Sequence, residues 1–281
     1  MYDVVIIGQG PAGISCAIYL KRYNINPLVI AKDLGTLEID TTIENYYGIQ
    51  SIKGRDLINN GIKQAKELGV EIINEEVLDI VSYPSLEVIT KNNKYQAKSI
   101  FLALGKSKEK VFIKGLKEFE GKGVSYCATC DGFFYRNKKI GIIGSGDYML
   151  LELEVLKNLS KDIYVFSDKE MAIEGVNVIN EELVEVYGED VLKGVKTTKN
   201  DYKLDALFVA LGSQTGLTFA KHLGLFLDDK NNIVVNNYMT NIDGIFAGGD
   251  VIGGLPQIVK AASDGANAAL EIKKYLKDKS K

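Results

Sequence analysis

Twice along this chain a short apolar run ends in a glycine-rich turn and continues as a helix-like stretch. The first copy runs from Asp3 to Ile7, turns through Gly8-Gln9-Gly10-Pro11-Ala12-Gly13 and continues to about Tyr23. The second runs from Lys139 to Ile143, turns at Gly144-Ser145-Gly146 and continues from about Tyr148 to Leu159. Each is followed by another apolar strand, Leu28 to Ala31 and Ile163 to Phe166. Strand, glycine turn, helix and strand form a dinucleotide-binding unit: the glycines permit a tight turn, close approach of backbone to a pyrophosphate, and close helix packing. The helix start adds partial positive charge. In the first copy Asp33 follows Gly13 by twenty residues, the spacing at which such units meet a ribose. Lys32 precedes it, and either side chain is placed to do so.

A second echo marks an internal duplication. Phe101-Leu102-Ala103-Leu104-Gly105 recurs as Phe208-Val209-Ala210-Leu211-Gly212, an apolar strand ending on glycine in both copies. Glycine turn and echo lie farther apart in the first copy, so the second is trimmed. The tail from Gly244 to Asp250, with a helix from about Pro256 to Leu276, has no counterpart in the second copy and is expected to return to the first. These patterns predict an α/β chain of two dinucleotide-binding, Rossmann-like domains. The first is discontinuous, 1–112 with 237–281, and encloses a central domain at 113–236.

At 281 residues, 46% hydrophobic and 25% charged, the chain has the composition of an ordinary globular protein. A net charge of −3 argues against a nucleic-acid partner. No apolar run reaches bilayer length and Met1-Tyr2-Asp3 lacks a basic leader, so the expectation is a cytoplasmic protein without a membrane role. Three cysteines cannot form a disulfide framework in a chain of this size; Cys127 and Cys130 make a C-x-x-C pair and Cys16 is left over. Zinc would need two more ligands, for which only Cys16 and His222 remain, so no metal is expected. The favoured reading is a redox disulfide, with an inert thiol pair as the alternative.

Cys127-Ala128-Thr129-Cys130-Asp131-Gly132-Phe133-Phe134-Tyr135-Arg136, set between two dinucleotide-fold copies, resembles the low-molecular-weight thioredoxin reductases. The resemblance spans nearly the whole chain and includes the Gly8 turn, Glu44-Asn45 before Gly48, Ala103-Leu104-Gly105 and Gly248-Gly249-Asp250. It implies a homodimeric flavoprotein that passes electrons from FAD to a disulfide and on to thioredoxin. By resemblance, Gly8, Gly10, Pro11, Ala12 and Gly13 hold the FAD pyrophosphate, Lys32 and Asp33 lie near the adenosine ribose, and Val77 offers backbone to adenine. Asn45 and the Ala103-Leu104-Gly105 turn lie near the isoalloxazine. Gly249 and Asp250 meet the ribityl chain, and the helix start at Gln257 and Ile258 points at the flavin pyrimidine. Cys130 faces the flavin, Cys127 attacks the substrate disulfide, and Asp131 protonates the leaving thiolate, with a helix cap as the alternative for Asp131. A dithiol on the flavin cannot also meet a protein disulfide, so the resemblance implies a swivelling central domain, with hinges expected near Lys114 and Asn237.

The second copy departs from the NADPH-dependent members. Their Gly-x-Gly-x-x-Ala and His-Arg-Arg stretches read Gly144-Ser145-Gly146-Asp147-Tyr148-Met149 and Ser167-Asp168-Lys169 here, and no arginine follows Arg136. Met149 is expected to obstruct helix packing, and Asp147 and Asp168 put negative charge where phosphates bind. The resemblance therefore points to the ferredoxin-dependent flavin thioredoxin reductases, with ferredoxin as donor and Lys106, Lys108, Lys110 and Lys114 as a candidate landing site. A thiol oxidase running the other way and a flavin-bound redox sensor are the alternatives.

Overall fold

The computed structural model describes residues 1–38, 42–105, 113–210 and 216–279. By internal contacts the chain divides into two units, Met1–Ser107 with Thr215–Lys281, and Lys108–Gln214. The first opens with β1 (Tyr2–Ile7), α1 (Pro11–Arg22), β2 (Pro27–Ala31), β3 (Thr42–Ile43), β4 (Ile52–Lys53) and α2 (Gly54–Glu67). It continues with β5 (Glu71–Asn74), β6 (Val77–Val81), β7 (Leu86–Thr90) and β8 (Lys94–Leu102). The second holds β9 (Val124–Ser125), α3 (Ala128–Asp131), β10 (Lys139–Ile143), α4 (Asp147–Lys157), β11 (Asp162–Phe166) and β12 (Asn177–Ile179). After these come β13 (Leu183–Gly188), β14 (Leu192–Thr197), β15 (Asp201–Lys203) and β16 (Ala206–Val209). The chain then returns to the first unit with α5 (Gly216–His222), β17 (Ile245–Ala247) and α6 (Ile258–Lys279).

The first sheet has the order β5-β2-β1-β8-β7-β6, with β17 also pairing β8. Its centre is buried on both faces, as an apolar parallel strand requires. Val4 and Ile6 face a core that includes Ala17 and Leu20 of α1 and Ala268 and Ile272 of α6. Val5 and Ile7 face the other core with Val88, Phe219 and Ile233. β8 serves two neighbours in succession: its start pairs antiparallel with β7 and its end pairs parallel with β17. The second sheet, β12-β11-β10-β16-β9, is parallel throughout, with β13-β14-β15 as a separate antiparallel sheet.

The duplication reaches beyond the glycine turns. Ile7 pairs with Ile30 as Ile143 pairs with Phe166, and Ile30 with Ile73 as Phe166 with Ile179. That register superposes Ile73-Asn74-Glu75-Glu76-Val77 on Ile179-Asn180-Glu181-Glu182-Leu183. The hydrogen bonding is copied as well. Glu75 accepts from the Thr90 hydroxyl, from Asn93 Nδ2 at 3.0 Å and from Tyr95 OH at 3.3 Å. Glu181 accepts from the Thr197 hydroxyl, from Asn200 Nδ2 at 2.8 Å and from Tyr202 OH at 3.5 Å.

The return to the first unit lies at 214/215 rather than at 236/237. Phe219, Ala220, Leu225 and Ile233 bury themselves in the core beside Val5 and Ile7, so the stretch before 237 belongs with the first sheet. Asn237 sits in a tight turn closed by Asn236 and Met239, which exchange backbone hydrogen bonds at 2.8 and 3.0 Å. Asn237 and Tyr238 take left-handed φ of 49° and 66°, as that two-residue turn demands. Lys114 likewise lies inside the second unit, bridged to Glu185 through backbone bonds with Val184 and Val186. Among the described residues no helix is long and apolar enough to cross a membrane.

Candidate active site

The Gly8 turn is built by backbone crowding. Gly8 has φ +108°, and a Cβ added there would lie 2.3 Å from the Ala103 carbonyl oxygen. A Cβ on Gly13 would lie 1.9 Å from the Gly8 oxygen, so only glycine lets α1 start this close to β1. Gly10 has nothing within 4 Å of its missing Cβ, so open space lies in front of the turn. No side chain caps α1, no acid occupies its first turn, and Pro11 fills its first position. Uncapped N–H groups facing open space are suited to an anion. Gly13→Ala is therefore expected to weaken cofactor binding roughly a hundredfold, because backbone overlap costs about 3 kcal/mol. Titration of the stripped protein with FAD checks it; retained affinity would show that the turn tolerates a Cβ.

Around this turn the fold gathers residues far apart in sequence. Gln9 Nε2 donates to the Asp33 carbonyl at 2.9 Å, while the Asp33 carboxylate is occupied by Gly35 N–H at 2.8 Å. Lys32 stands 3.7 Å from Glu76, next to Val77 at the buried start of β6. Asn45 Nδ2 donates to Gln257 Oε1 at 2.9 Å, joining two expected flavin neighbours. Ala103 follows β8, Gly105 has φ +64°, Gly249 and Asp250 open a 3-10 turn, and α6 begins at Ile258. Two residues missed from sequence hold that turn. Asp264, 6% exposed, accepts from Gly249 N–H at 2.9 Å, and its carboxylate pairs with Lys260 at 2.7 Å. Lys260 also donates to the carbonyls of Gly249 at 2.8 Å and Gly253 at 2.5 Å.

In the second unit Cys127 and Cys130 form a disulfide, and Cys127 Sγ also accepts from Cys130 N–H at 3.0 Å. Cys127 is buried and Cys130 exposed. Asp131 ends α3 and stands at the N-cap of the 3-10 turn Gly132–Tyr135, but its side chain makes no capping bond there; its carboxylate accepts from Ser125 Oγ at 2.6 Å. Ser125 Oγ in turn accepts from Cys127 N–H at 3.1 Å, so one hydroxyl ties Asp131 to the disulfide. Phe133 and Phe134, 67% and 76% exposed, follow directly. Cys16 is fully buried in the first unit, where burial pushes its thiol well above the ordinary range. His222 pairs with Asp79 at 3.3 Å within the same unit.

The second unit also has a cavity of about 580 Å³ at the carboxyl ends of β10, β11 and β12, lined in part by Gly144, Ser167, Asp168, Asn180, Glu181 and Glu182. By register, Asp168 occupies the place of Lys32 and Glu182 that of Glu76. The cation of the first copy is thus replaced by an acid, and none of the described lining residues is cationic. Asp147 adds a carboxylate to the first turn of α4. Met149, fully buried, carries the Cβ that Gly13 lacks, so α4 cannot approach the Gly144 turn as α1 approaches Gly8. Lys106, Lys108 and Lys110 lie outside the described residues. Lys114 is paired with Glu185 at 2.6 Å, and Glu185 also holds Lys196 at 2.9 Å.

A family model described as pyridine nucleotide-disulphide oxidoreductase matches residues 2–153 and 147–266. The thioredoxin reductase of Ureaplasma parvum serovar 3 is 32% identical over 98% of this chain and 97% of its own. That of Rickettsia felis is 34% identical over 97% of each. This chain belongs to the thioredoxin reductase family. Among solved structures, the atypical thioredoxin reductase TRi from Desulfovibrio vulgaris Hildenborough is similar at TM-score 0.91, with 30% identity and 99% of both chains covered. A ferredoxin-flavin thioredoxin reductase from Clostridium acetobutylicum is similar at TM-score 0.75 and 30% identity, over 100% of this chain and 99% of that one. As a thioredoxin reductase family member, the chain is a flavoprotein disulfide oxidoreductase with FAD as its cofactor. The first unit fits that cofactor: it offers an open, uncapped and acid-free turn, whereas the matching turn of the second unit is flanked by acids.

Proposed function

We propose that this protein is an FAD-dependent protein-disulfide reductase that draws electrons from ferredoxin and delivers them through Cys127 and Cys130 to thioredoxin. The carrying observation is the loss of a cation in the second unit, where Asp168 stands in the place of Lys32 and, with Glu182, lines the cavity that an NADPH adenosine phosphate would enter. FAD, when bound, accepts single electrons and delivers a pair, and so joins a one-electron donor to a disulfide. Gly8, Gly10, Pro11, Ala12 and Gly13 would hold its pyrophosphate. Lys32, Asp33 and Val77 would hold its adenosine, Gly249 and Asp250 its ribityl chain, and Asn45, Ala103, Leu104, Gly105, Gln257 and Ile258 would surround its ring.

Cys130 takes the flavin side and Cys127 attacks the substrate. The Cys130 N–H donated to Cys127 Sγ stabilises a thiolate there, which favours Cys127 as the nucleophile. Asp131, held through Ser125, returns the proton to the leaving thiolate. The exposed Phe133 and Phe134 offer thioredoxin an apolar landing beside the disulfide. The working form is a homodimer in the cytoplasm.

Cys127→Ser should leave a flavin-proximal thiolate that gives a long-wavelength flavin band, and Cys130→Ser should abolish it. The opposite pattern would reverse the two roles. Turnover with reduced ferredoxin should slow as ionic strength rises, because steered docking of an acidic partner is screened. A salt-independent rate would remove electrostatic docking. Lys114 is a weak part of any landing site, since Glu185 already neutralises it.

A further inference from the structure

Glu152 is 2% exposed, and its carboxylate accepts the backbone N–H of Ala128, the residue after Cys127. One helical turn earlier on the same face of α4, Tyr148, 1% exposed, donates its hydroxyl to the carbonyl of Tyr126, the residue before Cys127, at 2.9 Å. Thus α4 grips the chain on both sides of Cys127. A carboxylate buried to this depth costs several kcal/mol in desolvation, more than the Ala128 N–H bond returns.

We propose that Glu152 is a positioning residue for the disulfide, which fixes the backbone around Cys127 and uses its negative charge to oppose ionisation of the Cys127 thiol. The Cys130 N–H favours the Cys127 thiolate, and attack is fastest when the thiol titrates near ambient pH rather than well below it. Glu152 offsets that preference. Among the described residues of this unit, the other titratable groups around the segment include Asp131, held by Ser125, and Glu120, held by Tyr126, together with Tyr126, Tyr135 and Tyr148. Tyr126 gives its hydroxyl to Glu120, and burial pushes its phenol above the ordinary range; burial does the same to Tyr135, with help from Asp131. Both phenols therefore stay neutral while Cys127 titrates.

The inference rests on Cys127 being the attacking thiol, but its test reads the thiol directly and does not need turnover. The FAD-loaded Cys130→Ser protein is labelled with iodoacetamide across pH, and mass spectrometry assigns the label to Cys127 rather than Cys16. Glu152→Gln keeps an acceptor for Ala128 N–H and removes the charge. It should lower the titration midpoint by about one unit and speed labelling at neutral pH roughly threefold, the gain in thiolate being partly offset by its lower nucleophilicity. Tyr148→Phe, which releases a grip and keeps the charge, should leave the profile in place. A Glu152→Gln profile within twofold of its parent would overturn the proposal. So would a Cys127 midpoint in the Cys130→Ser parent far below the ordinary thiol value of about 8.5, a measurement that needs no Glu152 variant to fold.

Discussion

Anaerobic addition of micromolar NADPH is expected to leave the flavin absorbance unchanged for minutes, while reduced ferredoxin bleaches it within seconds. The expectation rests on matched positions in the two units. In the first, Lys32 faces Glu76 and the α1 start is free of acids; in the second, Asp168 takes the place of that lysine beside Glu182, the counterpart of Glu76, and Asp147 adds an acid to the α4 start. A 2′-phosphate there meets like charge, and no arginine after Arg136 exists to reach it. Each missing charge-assisted hydrogen bond forfeits about 1.5 to 3 kcal/mol, so two or three together weaken binding by a factor on the order of 10² to 10⁶. Asp168→Arg should recover part of this, roughly ten- to a hundredfold in NADPH affinity by equilibrium binding. Flavin reduction by NADPH as fast as by ferredoxin would remove the donor assignment and leave the disulfide chemistry standing.

Asp264→Ala should give a protein that is both less stable and poor at holding FAD. Asp264 is the buried counter-ion of Lys260 and the acceptor for Gly249 N–H, with Tyr238 OH a longer 3.4 Å away. Its loss leaves the Lys260 ammonium, still bonded to the Gly249 and Gly253 carbonyls, without its counter-charge and the Gly249 amide without its acceptor, for about 3 kcal/mol. That corresponds to a fall of the first unit's thermal midpoint on the order of 10 °C. Because the same carboxylate fixes the turn presenting Asp250, FAD affinity should drop along with stability. Asp264→Asn keeps an acceptor for Gly249 and should lie between the two. A variant that melts with wild-type protein and stays yellow through gel filtration would show that the hub does not hold the cofactor turn.

What the amino-acid order determined by itself was the repeated local pattern. Strand, glycine turn and helix are specified within a few residues: the crowding that makes Gly13 obligatory comes from Gly8 in the same turn, and apolar runs buried on both faces announce a parallel sheet, whereas the crowding at Gly8 comes from Ala103 of the neighbouring strand end. The Cys127 and Cys130 spacing is equally local. The repeated Ile-Asn-Glu-Glu segments at 73 and 179 were also present to be read, but without a glycine marker their equivalence emerges from strand register. Tertiary structure alone decided the rest. The return crossing moved from 237 to 215 because α5 and the residues after it spend their apolar side chains on the first core, which no local pattern announces. No sequence motif singles out Asp264 or Glu152 among the acids of their helices. Packing buried them against Gly249 and Ala128, and a buried charge takes its role from the partners that folding brings to it, not from its neighbours along the chain.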